Sequence, residues 1–264
     1  MQERLYALLL LPLLLFAYSD SDMDGVEDSY DNCPGTLFSE LVDAQGCTIR
    51  SLESPHHFNL IGGLSYGQRD QYTLQESDSL SSSLQLDYYY KRFSVQLVLS
   101  TYSFEEESGL NDTTLGLFYG FSLLNNLNLR LGAAVILPTY ETGLNNEATD
   151  YTGSAELIYS FDDNTLFTGI SHTLVKDKDV ETIAYKDSNA FSFGYGHYFS
   201  SKFYASGAYY YSDGIYVDVE SIQNTSAYMY YAIDNNLFTT FTYSYGLTDT
   251  ANEHFVELRL GYYY

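Results

Sequence analysis

"VELRLGYYY", residues 256 to 264, puts Val256, Leu258, Leu260, Tyr262 and Tyr264 on one side of a period-two repeat and Glu257, Arg259 and Gly261 on the other. Side chains that alternate in this way belong to a β-strand with one apolar and one polar face. The same division runs through residues 93–101, where Phe93, Val95, Leu97 and Leu99 oppose Ser94, Gln96 and Ser100. It returns with Leu115, Leu117, Tyr119, Phe121 and Leu123 against Thr114, Gly116, Gly120 and Ser122, and with Leu127, Leu129, Leu131, Ala133 and Val135 against Asn128, Arg130, Gly132 and Ala134.

Working outward from these stretches, the pattern predicts twelve strands, near 58–68, 80–91, 93–105, 111–124, 127–139, 150–161, 165–176, 188–199, 203–213, 221–233, 237–248 and 253–264. Their connections alternate. Lys91-Arg92, Asn125-Asn126, Asp162 to Asn164, Ser200 to Lys202 and Asp234 to Asn236 read as tight turns, whereas 106–110, 140–149 and 177–187 are longer and acidic. Short turns at one end, long loops at the other and an even strand count predict an all-β chain. The expected form is a 12-stranded antiparallel transmembrane β-barrel over 55–264, with both termini on the periplasmic side. In the strands from 165 to 233, Tyr and Gly fill both faces, so which side points outward stays open, and a slip of one residue would invert it.

A soluble β-sandwich or a lipocalin-like barrel would turn the same apolar faces inward. Three features favour the membrane. Strand lengths match the 9–11 residues that a tilted spanning strand needs. Aromatic residues gather near strand ends at Tyr88–Tyr90, Tyr209–Tyr211 and Tyr262–Tyr264, as interfacial girdles do. The final strand, with Val256, Leu258, Leu260, Tyr262 and Tyr264 in alternation, resembles the C-terminal recognition signal of bacterial outer-membrane barrel proteins. That resemblance implies the barrel-assembly machinery as a partner, and outer-membrane lipid and lipopolysaccharide as surroundings.

Ahead of the barrel, residues 1–19 carry Arg4, an apolar run from Leu5 to Phe16, and Ala17 and Ser19 in a small-x-small arrangement, which reads as a secretory signal peptide. Cys33 and Cys47, the only two cysteines, lie in an exported chain and predict a disulfide. Closing a loop of about 15 residues is worth about 3 kcal/mol in chain entropy.

Between leader and disulfide, Asp20, Asp22, Asp24, Asp28 and Asp31 fall at positions 1, 3, 5, 9 and 12, with Gly25 at 6 and the Val26 carbonyl at 7. A hard cation such as Ca2+ takes six to eight oxygens, and a glycine at the sixth position allows the turn that gathers them. Asp20-x-Asp22-x-Asp24-Gly25-x-x-Asp28-x-x-Asp31-Asn32-Cys33-Pro34 resembles a thrombospondin type 3 calcium repeat. Gly35-Thr36 and Val42 to Cys47 are similar to the continuation of such repeats in envelope proteins of the OmpA type. The resemblance implies a calcium-binding, disulfide-closed module over 20–54, standing in the periplasm. No segment resembles the peptidoglycan-binding domain that accompanies the repeat in those proteins.

With apolar faces turned to lipid, the lumen receives Asp87, Arg130, Glu156, Glu257 and Arg259 among Ser, Thr, Gly and Asn. Twelve strands tilted about 40° enclose a backbone diameter of roughly 24 Å, leaving roughly 10 Å inside the side chains. Ions and small solutes fit; folded proteins do not. Acids in the longer loops, among them Glu105 to Glu107, Asp112, Glu141, Glu147, Asp150, Asp177, Asp179, Glu181, Asp218 and Glu220, would concentrate cations at the mouth. The expected function is a narrow, cation-favouring, porin-like channel. The alternative is a non-conducting structural or adhesive barrel whose lumen is closed by Arg130, Arg259 and acidic partners.

Composition removes other classes. Against 35 Asp+Glu there are 11 Lys+Arg, a formal charge of -24, which excludes a phosphate-backbone partner. Barrel phospholipases need a His-x-Ser pair on one strand face, but His172 is followed by Leu174 and His197 by Phe199, and His254 sits beside Glu253 with no serine at the right spacing. The chain is not expected to be an enzyme.

Overall fold

The computed structural model describes residues 20–22, 25–36, 42, 44–48, 56–70, 76–104, 107–140, 148–179 and 183–264. It divides into two compact units, Met1–Glu53 and Ser54–Tyr264.

The larger unit is built from β1 (His56–Asp70), β2 (Glu76–Tyr90), β3 (Phe93–Phe104), β4 (Glu107–Leu110), β5 (Thr113–Leu124), β6 (Leu127–Leu137) and β7 (Asp150–Phe161). It continues through β8 (Asn164–Leu174), β9 (Ser188–Ser200), β10 (Phe203–Ser212), β11 (Ile222–Ala232), β12 (Leu237–Gly246) and β13 (His254–Tyr263). Neighbours in sequence pair antiparallel, and β1 pairs with β13 from Asn59↔Tyr263 to Gln68↔His254, which closes the sheet into a cylinder. β4 and β5 are one stave: β3 pairs with both, Thr101↔Leu110 and Val98↔Thr114, and the register shifts by one residue at Asn111-Asp112. The barrel therefore has twelve staves, and closure leaves no sheet edge with unpaired backbone groups.

Tight turns close one end. In the two-residue turn between β2 and β3, Lys91 sits at φ 55°, and Asp162 between β7 and β8 sits at φ 47°; both are left-handed conformations that two-residue hairpins require. The other end carries the longer links 138–149, 175–187, 213–221 and 247–253; residues 107–110, expected as part of a long loop at 106–110, instead form β4 and pair with β3 from Phe104↔Glu107 to Thr101↔Leu110, because their backbone groups continue the ladder up to the break at Asn111-Asp112. Tyr185 and Tyr216 form a bridge there between the β8–β9 and β10–β11 loops.

Burial is inverted relative to a water-soluble protein. Leu64 is 64% exposed, Ile170 60% and Leu258 58%, all on the outer face, whereas Asp87 is 4% exposed and Thr240 6% on the inner one. Among the described residues no large side chain is fully buried, although a packed sandwich of this length would hold many such residues. The outer face is the greasy one.

Closure also fixes the facing of the strands rich in Tyr and Gly. Directly paired residues share a face, so Gly194, paired with Phe167 and Ala208, looks inward, and Phe193, paired with Tyr209, looks outward. Tyr89, Tyr210 and Tyr263 point into the cylinder while their sequence neighbours point out. The aromatic clusters at strand ends therefore supply an outer girdle and an inner lining together.

The smaller unit is held by the Cys33–Cys47 disulfide, with Cα atoms 5.0 Å apart. Around it the Asn32 N–H donates to Gln45 O at 2.8 Å, Thr36 Oγ1 donates to Gly46 O at 2.9 Å, and Val42 bridges Thr48.

Candidate functional site

The five charged residues expected in the lumen all project to the enclosed face, as their pairings require: Arg130 opposite Glu156, Arg259 opposite Gly63, Glu257 opposite Ser65 and Asp87 opposite Asn59. They form two groups on different parts of the wall. In the first, Asp87 accepts hydrogen bonds from Gln85 Nε2 at 2.9 and 3.0 Å and from Gln96 Nε2 at 3.0 Å. Gln85 turns its other end to Arg259, whose Nη2 donates to Oε1 at 2.7 Å, and Arg259 Nε stands 3.7 Å from Glu257. A buried carboxylate needs such donors, because burial without partners costs several kcal/mol.

In the second group Arg130 Nη1 lies 3.9 Å from Glu156 on the neighbouring strand, and its guanidinium carbon lies 3.8 Å from the centroid of the Phe118 ring. Both side chains of this pair keep about 40% of their surface open, 40% and 41%. Each arginine pairs with a neighbour along the wall.

Glycines make room for flat inner rings. A Cβ on Gly132 would run into Phe118, one on Gly194 into Phe167, one on Gly196 into Tyr204, and one on Gly261 into Phe238. At the tight-turn end Phe238 is enclosed by Tyr230 and Tyr263, with ring centroids 5.4 and 4.6 Å away, and the two tyrosine hydroxyls meet at 3.3 Å. Sequence reasoning does not single out Gln85, Gln96, Phe118 or this aromatic cluster; only the cross-strand register places each ring over its glycine.

At the loop end the acids knit neighbouring loops together. Asp112 accepts the Tyr140 N–H at 3.0 Å, Asp150 the Lys176 N–H at 2.7 Å, Asp177 the Ala148 N–H at 3.1 Å and Asp187 the Val175 N–H at 3.0 Å. Burial pushes the Tyr216 hydroxyl up, and the nearby Asp177 and Asp112 carboxylates push it further. Asp213 moves the other way: burial raises it, but hydrogen bonds from Asn189 and Ser188 outweigh that and hold its carboxyl below the usual range. Glu105, Glu106, Glu141, Glu147 and Glu181 lie outside the described residues.

In the small unit, Asp20 Oδ2 accepts the Gly25 N–H at 2.9 Å, Asp22 Oδ2 accepts those of Gly35 and Thr36 at 2.6 Å, Asp28 accepts that of Ser21 at 2.7 Å, and Asp31 that of Cys33 at 2.8 Å. Gly25 has φ 93°, the left-handed turn that the sixth position calls for. Asp24 lies outside the described residues, and among those described no three metal-binding side chains converge. Carboxylate and carbonyl oxygens are the donor kind that a hard cation takes, and here each of these carboxylates accepts a backbone N–H.

No protein-family model matches the sequence, and no curated protein matches it either. Solved structures do. The NanC porin shares the fold with a TM-score of 0.53 at 10% identity, over 77% of this chain and 97% of its own. The KdgM porin gives 0.50 at 10% identity, over 78% and 98%. The translocator domain of the autotransporter NalP from Neisseria meningitidis gives 0.50 at 12% identity, over 82% and 90%. Identities this low speak for architecture alone: the chain has the closed twelve-stranded fold of bacterial outer-membrane β-barrels.

Proposed function

We propose that the mature chain stands in a bacterial outer membrane as a narrow, porin-like channel that favours cations, carrying a calcium-binding module on its periplasmic side. The observation that carries the reading is the disposition of Arg130 and Arg259. Both are engaged close to their own place on the wall, Arg130 by Glu156 and Phe118 on the two adjacent strands, Arg259 by Glu257 on its own strand and Gln85 on the next-but-one. A salt-bridged plug would instead send them across the lumen to meet acids on the far wall.

Selectivity stems from charge balance. The inner wall presents Asp87, Glu156 and Glu257 against Arg130 and Arg259, and the loop-end mouth adds Asp112, Asp150 and Asp177. A low-dielectric wall focuses that field on permeating ions. Planar-bilayer reversal potentials in a salt gradient test the reading: a cation-selective potential supports it, and anion selectivity overturns it.

One observation favours the non-conducting alternative. Tyr230, Phe238 and Tyr263 fill part of the lumen at the tight-turn end, and a second obstruction beside them would close the barrel. In that case the purified protein gives no channel events, whatever its arginines are changed to.

A further inference from the structure

We propose that the inner wall from β8 to β12 is a track for an uncharged, polyhydroxylated ring solute, a neutral pyranose oligosaccharide, held where the track meets Tyr198, Tyr204 and Tyr228. The proposal names a solute class for the porin-like lumen and rests on that reading.

The two sides of the wall differ in chemistry. Asp87, Arg130, Glu156, Glu257 and Arg259 stand on β2, β6, β7 and β13. Among the described residues, the enclosed face of β8 through β12 holds no Asp, Glu, Lys, Arg or His. Apart from the Asn224 amide, its side-chain polar groups are all hydroxyls, with Ser192, Ser206, Ser226 and Ser244 inward on successive strands. A hydroxyl both donates and accepts, so this surface matches a solute that does the same. To an ion it offers no counter-charge, and a charge that leaves water without one is penalised.

At the tight-turn end the hydroxyl track meets aromatic rings. Tyr198, Tyr204 and Tyr228 stand inward on β9, β10 and β11, with ring centroids 4.5 Å apart for the first pair and 6.4 Å for the second. The middle ring is fixed: it takes the space that a Cβ on Gly196 would need, and its hydroxyl meets Thr165 Oγ1 at 2.9 Å. The Tyr198 and Tyr228 hydroxyls on either side of it have no hydrogen-bond partner among the described residues, and both side chains are only half-buried.

This combination selects the ligand. Ring faces are apolar and carry the negative side of the ring quadrupole, while the two phenols leave donors and acceptors beside them. A hydrocarbon would cover the rings but strip water from both phenols without replacing it. An open-chain polyol would bond the phenols but present no flat face to the rings. A pyranose does both, since its C–H groups form a face and its hydroxyls lie around the rim. An acidic sugar gains nothing further, because Arg259 is already engaged by Gln85 and Glu257.

Isothermal titration calorimetry of the full chain in detergent tests this without requiring a current. Maltohexaose and cellohexaose serve as neutral ligands, with hexagalacturonate and sorbitol as the charged and open-chain comparisons. The double variant Tyr198→Phe, Tyr228→Phe removes the two hydroxyls and keeps the rings. The wild type is expected to bind at least one neutral hexasaccharide at least about tenfold more tightly than either comparison, and the double variant to lose about tenfold. No binding of either neutral hexasaccharide, equal or tighter binding of hexagalacturonate or sorbitol, or unchanged affinity in the double variant would each overturn it. Heat-dependent gel mobility confirms that the variant is folded. Sugar binding by a chain that passes no current in a planar bilayer would count against the channel alone, and current without sugar binding against the track alone.

Discussion

The Arg130 guanidinium lies over the Phe118 ring, 3.8 Å from its centroid, while the Phe118 ring occupies the space that a Cβ on Gly132 of the next strand would need. The cation is thereby held to the wall, with Glu156 at 3.9 Å on its far side. Contacts of this kind are worth about 0.5–2 kcal/mol, depending on how far water is excluded, enough to fix an exposed side chain but not to seal a pore.

Replacing Arg130 by Ala should therefore change the quality of the current more than its size. The expected outcome is a reversal potential shifted further toward cations, since Glu156 loses its counter-charge, with unitary conductance altered less than about threefold. Current that appears only in the variant would indicate a plug.

Facing can be tested by charge. Leu258, outward and paired with Leu64 and Phe241, should tolerate Arg poorly, at about 2–4 kcal/mol near the bilayer midplane. Ser81, inward on β2, should accept Arg with a cost near zero. Unfolding in lipid vesicles with denaturant measures both, and equal costs would refute the facing.

Gly261→Val should drive a side chain into the Phe238 ring and loosen the Tyr230–Phe238–Tyr263 cluster. Overpacking of this kind costs typically about 1–3 kcal/mol, and the double change Gly261→Val with Phe238→Ala should recover part of it. Thermal unfolding of the two variants decides whether ring and glycine are coupled.

Those ring-over-glycine pairs mark where the sequence stops being legible. Residues 93–101 and 127–137 can be read directly because one face is aliphatic and the other small and polar. In β8–β11 the inner face mixes Phe167, Tyr204 and Tyr228 with Gly194 and Gly196, so neither face looks polar along a single strand. Volume is matched across strands, Phe167 to Gly194 and Tyr204 to Gly196, and that pairing exists only once the register is known. The β4–β5 stave reads from sequence as a strand beginning only at residue 111, because Asn111-Asp112 breaks the period where one residue is added. The charged lumen residues are legible for the opposite reason: a charge flanked by leucines leaves little choice of face.

Acid should release the loop end before the barrel. The folded carboxyl of Asp213 is held below its usual value, so its contribution to holding Asn189 is complete above about pH 4, the unfolded carboxylate range, and is lost as pH falls through the folded value. Proteolysis with pepsin should nick 213–221 at progressively higher rates below that pH, and Asp213→Ala should be nicked equally at all of them. Indifference of the wild type to pH would contradict the assignment.

Removal of calcium should expose residues 20–50 to protease while leaving the barrel resistant, because apposed carboxylates without a cation repel and the segment has little apolar content to hold it. Reduction of Cys33–Cys47 should add to the effect, by about 3 kcal/mol in the chain-entropy account. Identical digestion in calcium and in chelator would remove the cation from the module.

The central claim is an inside-out cylinder with a water-filled, negatively biased lumen, and single-channel recording of the purified chain in a planar bilayer addresses it most directly. Discrete conductance steps with a reversal potential on the cation side are the predicted result. A silent bilayer containing folded, correctly inserted protein, or steps that reverse on the anion side, would contradict it.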